Sequence, residues 1–155
     1  LTWLSEKKSP VFVVATANDV TMLPPELLRK GRFDEIFFVD LPTHLERREI
    51  FKVHLTRRKI NPAEFDLDLL ARASAGFSGA EIEEAVISSL FEAFYNKEKI
   101  STKVLMDSLQ QTVPLSKTMS EDIEGLRKWA EGRARFATSP AMAQETDMDK
   151  RKLEI

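Results

Sequence analysis

Residues 11–42, VFVVATANDVTMLPPELLRKGRFDEIFFVDLP, decide the fold. Residues 11–15 are all apolar or small with frequent β-branching, the composition of a strand buried on both faces as in a parallel sheet. Asn18-Asp19 ends that strand, Pro24-Pro25 opens a short helical turn through Leu28, and Gly31 breaks it. Residues 36–39 form a second apolar run of strand length, closed by Asp40-Leu41-Pro42. A parallel pair needs a crossover and cover on both faces, so two such strands alone are expected to be the remnant of a larger α/β core.

Beyond Pro42 the apolar period becomes helical. Thr43-His44-Leu45-Glu46 and Ser78-Gly79-Ala80-Glu81 have the spacing of capping boxes, in which hydroxyl and carboxylate satisfy the free amides of a helix start. The first predicts a helix to about Arg58, and residues 66–74 read as a short helix. The second opens the clearest helix: Ile82, Ala85, Val86, Leu90, Ala93 and Phe94 share one face, and Glu81, Glu84, Ser88 and Glu92 another. Residues 101–112 and 120–135 predict two more, the last aligning Ile123, Leu126, Ala130 and Ala134. The expected domains are an α/β remnant over 1–42, an all-α domain over 43–135, and a polar, disordered tail over 136–155 with a helical turn near 147–153.

With 155 residues and 43% hydrophobic content the chain can bury a core, and its net charge of -2 supplies no overall attraction to nucleic acid or an anionic membrane. No cysteine and only two histidines leave no disulfide or thiolate site, and no metal site is expected. No apolar run approaches the roughly 20 residues of a membrane helix, and residues 1–10 lack the order of a secretory signal. An intracellular protein without a membrane partner is expected. The start at Leu rather than Met predicts a piece whose upstream sequence is missing.

The apolar strand ending in Ala15-Thr16-Ala17-Asn18, the turn Arg29-Lys30-Gly31-Arg32-Phe33-Asp34 and the second strand ending in Pro42 resemble the second region of homology of AAA ATPases. The resemblance implies that Asn18 is a sensor orienting the water that attacks the γ-phosphate. It implies that Arg29 and Arg32 are paired arginine fingers reaching the nucleotide of the next subunit in a ring. Phosphoryl transfer depends on positioning and charge stabilisation, and a planar, permanently charged guanidinium binds spread phosphate oxygens in a fixed fork. Gly31 lets the backbone turn sharply, and Asp34 is placed by sequence to pair with one arginine. Without the flanking strands the same residues would read as a solvated basic loop and a strand-closing Asn.

The resemblance continues to about Thr112. Arg47-x-x-Ile50-x-x-x-His54 and Gly76-Phe77-Ser78-Gly79-Ala80-Glu81 are similar to the lid stretches of that family. It implies an α/β remnant holding two strands of a parallel P-loop sheet, followed by an all-α helical lid of the AAA type. In the family the isoleucine packs on adenine, the histidine approaches ribose or base, and the Gly-Ala start lets backbone come close to the nucleotide. Ile50, His54, Gly79 and Ala80 inherit those roles. Ala80 stands where many wider AAA-type proteins keep a sensor arginine, which points to the narrower AAA subgroup. Read without the resemblance, His54 is a helix-face histidine with no ligand and Gly79 a simple helix-start glycine. Residues 23–42 and 113–135 further resemble the hypothetical-chloroplast-frame type AAA proteins of cyanobacteria and plastids. Arg127, Lys128, Arg133 and Arg135 beside Trp129 admit a nucleic-acid patch but read better as the solvated side of a lid helix with its tryptophan buried.

No Gly-Lys dipeptide occurs, so the phosphate-cradling Walker A loop is absent, and Asp40, which ends a strand in the manner of Walker B, is not followed by Glu. In the family the phosphate-loop strand lies between the two strands seen here, so their open edges invite other pairing or self-association. The resemblance implies ATP and magnesium in a complete protein, neither held tightly by this chain. It implies neighbouring AAA subunits, a homo-hexamer doing remodelling or chaperone-like work, and a cytoplasmic or plastid-stroma location. The alternatives are a non-catalytic module acting on a partner ATPase and a nucleic-acid-binding AAA motor or clamp-loader piece. The 155-residue chain alone is expected to release no phosphate from ATP and magnesium above background. Turnover that survives repurification and disappears on mutating Arg29 or Arg32 would contradict this.

Overall fold

The computed structural model describes residues 11–20, 22–28 and 32–138. Among them, β1 (Phe37–Phe38) is followed by six α-helices and β2 (Arg135–Phe136). The helices are α1 (His44–Arg57), α2 (Leu67–Ala73), α3 (Gly79–Tyr95), α4 (Thr102–Gln111), α5 (Leu115–Thr118) and α6 (Ser120–Ala130), with a 3-10 turn at Pro62–Glu64.

Local chemistry sets the helix starts. The Thr43 hydroxyl accepts the Glu46 N–H while Glu46 Oε2 accepts the Thr43 N–H at 2.8 Å. Ser78 and Glu81 repeat the arrangement at α3, the carboxylate taking the Ser78 N–H at 2.7 Å. Asp66 and Ser101 cap α2 and α4 through their side chains. The core lies where α1, α2, α3 and α4 meet, with Phe51, Leu55, Leu70, Phe77, Ile82, Val86 and Leu105 buried.

Polar groups inside this core are paired. Arg47 is buried on α1; its Nε donates to the Ala71 carbonyl at 2.9 Å and its Nη1 to the Pro42 carbonyl at 2.7 Å, tying α2 to the chain entering α1. Ser89 is buried on α3, its hydroxyl returning to the Ala85 carbonyl at 2.7 Å. Ser108 from α4 donates to the same carbonyl at 3.3 Å. At the entry to α3, Gly76 has φ +81°, and a Cβ there would overlap the Ser116 side chain. Only glycine meets both conditions without strain. Glu81 then does a second job, its Oε1 accepting the Leu115 N–H at 2.7 Å and so fixing α5 against the start of α3.

The two-stranded parallel sheet and the helical domain following the α/β segment agree with the expected fold class. The strand expected at residues 11–15 is not one: the sheet pairs β1 with β2, in the register Phe37↔Arg135 and Phe38↔Phe136. An apolar run encodes burial but not its partners, and here Phe12 is 92% exposed. Pro24 to Leu28 does form a turn, with the Leu27 and Leu28 amides donating to the Pro24 and Pro25 carbonyls. The last long helix stops at Ala130, short of the expected Arg135, because Gly132 at φ +70° redirects the chain into β2. Phe94 is 84% exposed rather than buried: the buried face of α3 runs through Ile82, Ala85, Val86, Ser89 and Ala93, and Phe94 falls one helical step beyond it. The turn expected near 147–153 lies outside the described residues.

Glu81→Ala leaves the Ser78 and Leu115 amides without their carboxylate and should destabilise the helical domain by about 1–3 kcal/mol. Thermal unfolding checks the size. Hydrogen exchange should show the loss first at α5.

Candidate functional site

α1 and α3 lie against one another and place three of the expected residues together. Ile50 is half-buried on α1, and a methyl group added at Gly79, the first residue of α3, would lie 3.7 Å from Ile50 Cδ1. The missing side chain therefore leaves room between the isoleucine and the α3 backbone. The first amides of any helix have no intrahelical acceptor, so this corner also carries donors and the positive end of a 17-residue helix dipole.

One turn further along each helix, His54 stands beside Glu83, Nδ1 to Oε1 3.3 Å. Arg58 joins them: its Nη2 donates to Glu83 Oε1 at 3.1 Å and its Nη1 to the His54 carbonyl at 3.1 Å. The Arg58 guanidinium holds the Glu83 carboxyl below the usual carboxylate range, against partial desolvation and with help from His54. His54 thus stands against the Arg58–Glu83 ion pair, one turn along α1 from Ile50. Ala80 is exposed at the head of α3.

The other expected residues belong to a different part of the chain. Asn18 is exposed on a bend, and because residues 11–15 are not a strand it does not sit at a strand tip. Arg32 is half-buried in the turn that leads to β1, and Arg29 lies outside the described residues. Arg58 and Glu83 were not anticipated, although each follows a candidate by four residues on its helix, Arg58 after His54 and Glu83 after Gly79. Among the described residues no group of three His, Cys, Asp or Glu side chains could hold a metal ion. Among them too, no helix is long and apolar enough to cross a membrane.

At the carboxyl side of β1, Asp40 and α6 form a second polar centre. Arg127 Nε donates to Asp40 Oδ2 at 2.8 Å and to Oδ1 at 3.1 Å, and Nη2 donates to Oδ1 at 2.9 Å. This bonding raises the Arg127 pKa despite some burial. Lys128 and Arg133 point to solvent and Trp129 is half-buried.

Residues 1–41 match the family model described as ATPase family associated with various cellular activities (AAA). The AAA domain-containing protein ycf46 of Guillardia theta is 51% identical over 142 residues, covering 89% of this chain and 28% of that protein. An ATP-dependent zinc metalloprotease FtsH of Karelsulcia muelleri is 40% identical over 68% of this chain and 17% of its own length. A proteasome-activating nucleotidase of Saccharolobus islandicus is 37% identical over 64% of this chain and 25% of its own. The chain thus spans little more than a quarter of the ycf46 relative it matches. No solved structure matches it. The family match over residues 1–41, and the 51% identity to an AAA domain-containing protein over 89% of the chain, place this chain in the AAA ATPase family.

Proposed function

We propose that residues 43–135 are the nucleotide-facing lid of an ATP-hydrolysing AAA protein and that residues 1–42 are the end of its α/β core; the polar tail expected from residue 136 begins only beyond Ala137, because Phe136 is held in β2 and the Ala137 N–H bonds the Phe38 carbonyl. The observation that carries this reading is the meeting of Ile50 with Gly79, His54 one turn away, at a helix start lacking a side chain. In this reading Ile50 gives the adenine an apolar floor and the α3 start lets backbone approach it. His54, steadied by Glu83 and Arg58, borders the ribose. The apolar corner with few polar edges suits a flat heteroaromatic base. Asn18, Arg29 and Arg32 act at the phosphate end, the arginines on the nucleotide of a neighbouring subunit in a ring, hexameric in the resemblance. ATP supplies the transferable phosphoryl group; no ligand for magnesium is assigned among the described residues. The names of the FtsH and nucleotidase relatives, an ATP-dependent protease and an activator of the proteasome, support energy-coupled work on other proteins.

The two groups of residues should separate in kinetics. In a full-length protein carrying this chain, Ile50→Ala should weaken ATP binding about tenfold, the scale of lost methylenes in an apolar pocket. Arg29→Ala and Arg32→Ala should leave binding nearly intact and lower hydrolysis by about 10³- to 10⁵-fold. Lys30→Ala should do much less. Mixing a finger mutant with a subunit mutated in its Walker A lysine should restore some activity, because some interfaces then pair an intact loop with an intact finger. Unchanged affinity in Ile50→Ala would remove the lid assignment. A mixture that stays inactive although mixed rings form would remove the fingers.

A further inference from the structure

The helical domain is attached to β1 twice. The covalent link between β1 and α1 is residues 39–43, of which Leu41, Pro42 and Thr43 lie beyond Asp40. The second runs back from the far end of the chain. Arg127 on α6 grips Asp40 through three hydrogen bonds of 2.8–3.1 Å across 87 residues of sequence, and Asp40 Oδ1 also accepts the Leu41 N–H at 2.7 Å. Gly132 turns the chain so that the Arg135 N–H donates to the Ile36 carbonyl and the Ala137 N–H to the Phe38 carbonyl, both at 2.9 Å. The Phe38 and Phe136 rings meet edge to face with centroids 5.3 Å apart. At its other end the segment is fixed to α3 by the bond from the Leu115 N–H to Glu81.

We infer that residues 115–137 form a strap that sets the angle of the helical domain on β1, with the Asp40–Arg127 pair as its latch. A domain held only by a linker turns freely about it. With a second attachment, rotation about residues 41–43 must break the latch or pull β2 from β1. A guanidinium gripping a carboxylate through two nitrogens is directional, so it resists twisting as a single ammonium would not. Glu124 on the same helix lies 4.0 Å from Arg127 Nη1, so a guanidinium that leaves Asp40 still has a carboxylate beside it. The strap does not depend on the nucleotide reading.

The absence of cysteine makes a clean reporter available. Phe37 and Arg135 are register partners, so Phe37→Cys with Arg135→Cys places two thiols across the β1–β2 pair and leaves Phe38 and Phe136 in place. The rate at which a short bismaleimide closes that pair reads how often the strap is docked. Adding Arg127→Ala should slow closure about tenfold or more, given what charge-assisted hydrogen bonds contribute. Arg127→Lys should fall between, and the exchange Asp40→Arg with Arg127→Asp should recover part of the rate lost in either single variant. Hydrogen exchange across α3 should be the same in all variants. Closure unchanged by Arg127→Ala, or an exchange no faster than the single variants, would overturn the latch. So would loss of α3 protection in Arg127→Ala, which would make the pair part of the lid's own fold. No nucleotide enters the experiment, so its outcome is separate from that of the binding tests.

Discussion

The carboxylate of Glu81 joins the two halves of the helical domain. One oxygen closes the first turn of α3 by accepting the Ser78 N–H, and the other accepts the Leu115 N–H that begins α5. A cap ordinarily serves one helix. Here it also fixes where the last third of the chain leaves the core, and so where α6 and β2 can reach. The geometry around it leaves little freedom, because Gly76 brings the backbone against Ser116 on one side while Gly79 opens the corner beside Ile50 on the other. The corner proposed to meet a base and the segment that returns to β1 thus diverge from the same helix start.

A second constraint is polar and deeper. α1 carries charge on most of its surface, yet it presents Arg47 inward together with Phe51 and Leu55. A buried guanidinium is tolerable only when its donors are spoken for. The Pro42 and Ala71 carbonyls do this, one in the stretch entering α1 and the other within the last turn of α2. Arg47 therefore fixes the entry of α1 relative to α2, and with it the height at which Ile50 and His54 meet α3.

What could be read from residue order was whatever short-range chemistry determines. The boxes Thr43 to Glu46 and Ser78 to Glu81 specify helix starts because donor and acceptor lie within one turn, and both occur as expected. Burial was harder where polarity misleads. Ser89 and Arg47 look like surface residues until the Ala85, Ala71 and Pro42 carbonyls that satisfy them are known. Strand pairing was hardest. Residues 11–15 have the composition of a buried strand, but composition names no neighbour, whereas Arg135 and Phe136 have no strand pattern and yet pair with β1. Of the candidate site, the sequence resemblance named Ile50, His54 and Gly79, and four-residue helical spacing was enough to have added Arg58 and Glu83. The Asp40–Arg127 pair spans 87 residues and no local rule reaches it.

The parallel pairing of β1 with β2 makes the entire helical domain the crossover between two strands. This has a kinetic meaning. Closing so long a loop before its contents are ordered costs conformational entropy, whereas the helix starts and the α1–α4 core form from contacts much nearer in sequence. By contact order the helical domain is expected to fold before the sheet, whose strand ends it brings together. On a ribosome, β1 emerges well before β2 and must wait for the whole domain to be synthesised. Until the carboxyl-terminal residues arrive, the edge of β1 that β2 takes is unpaired.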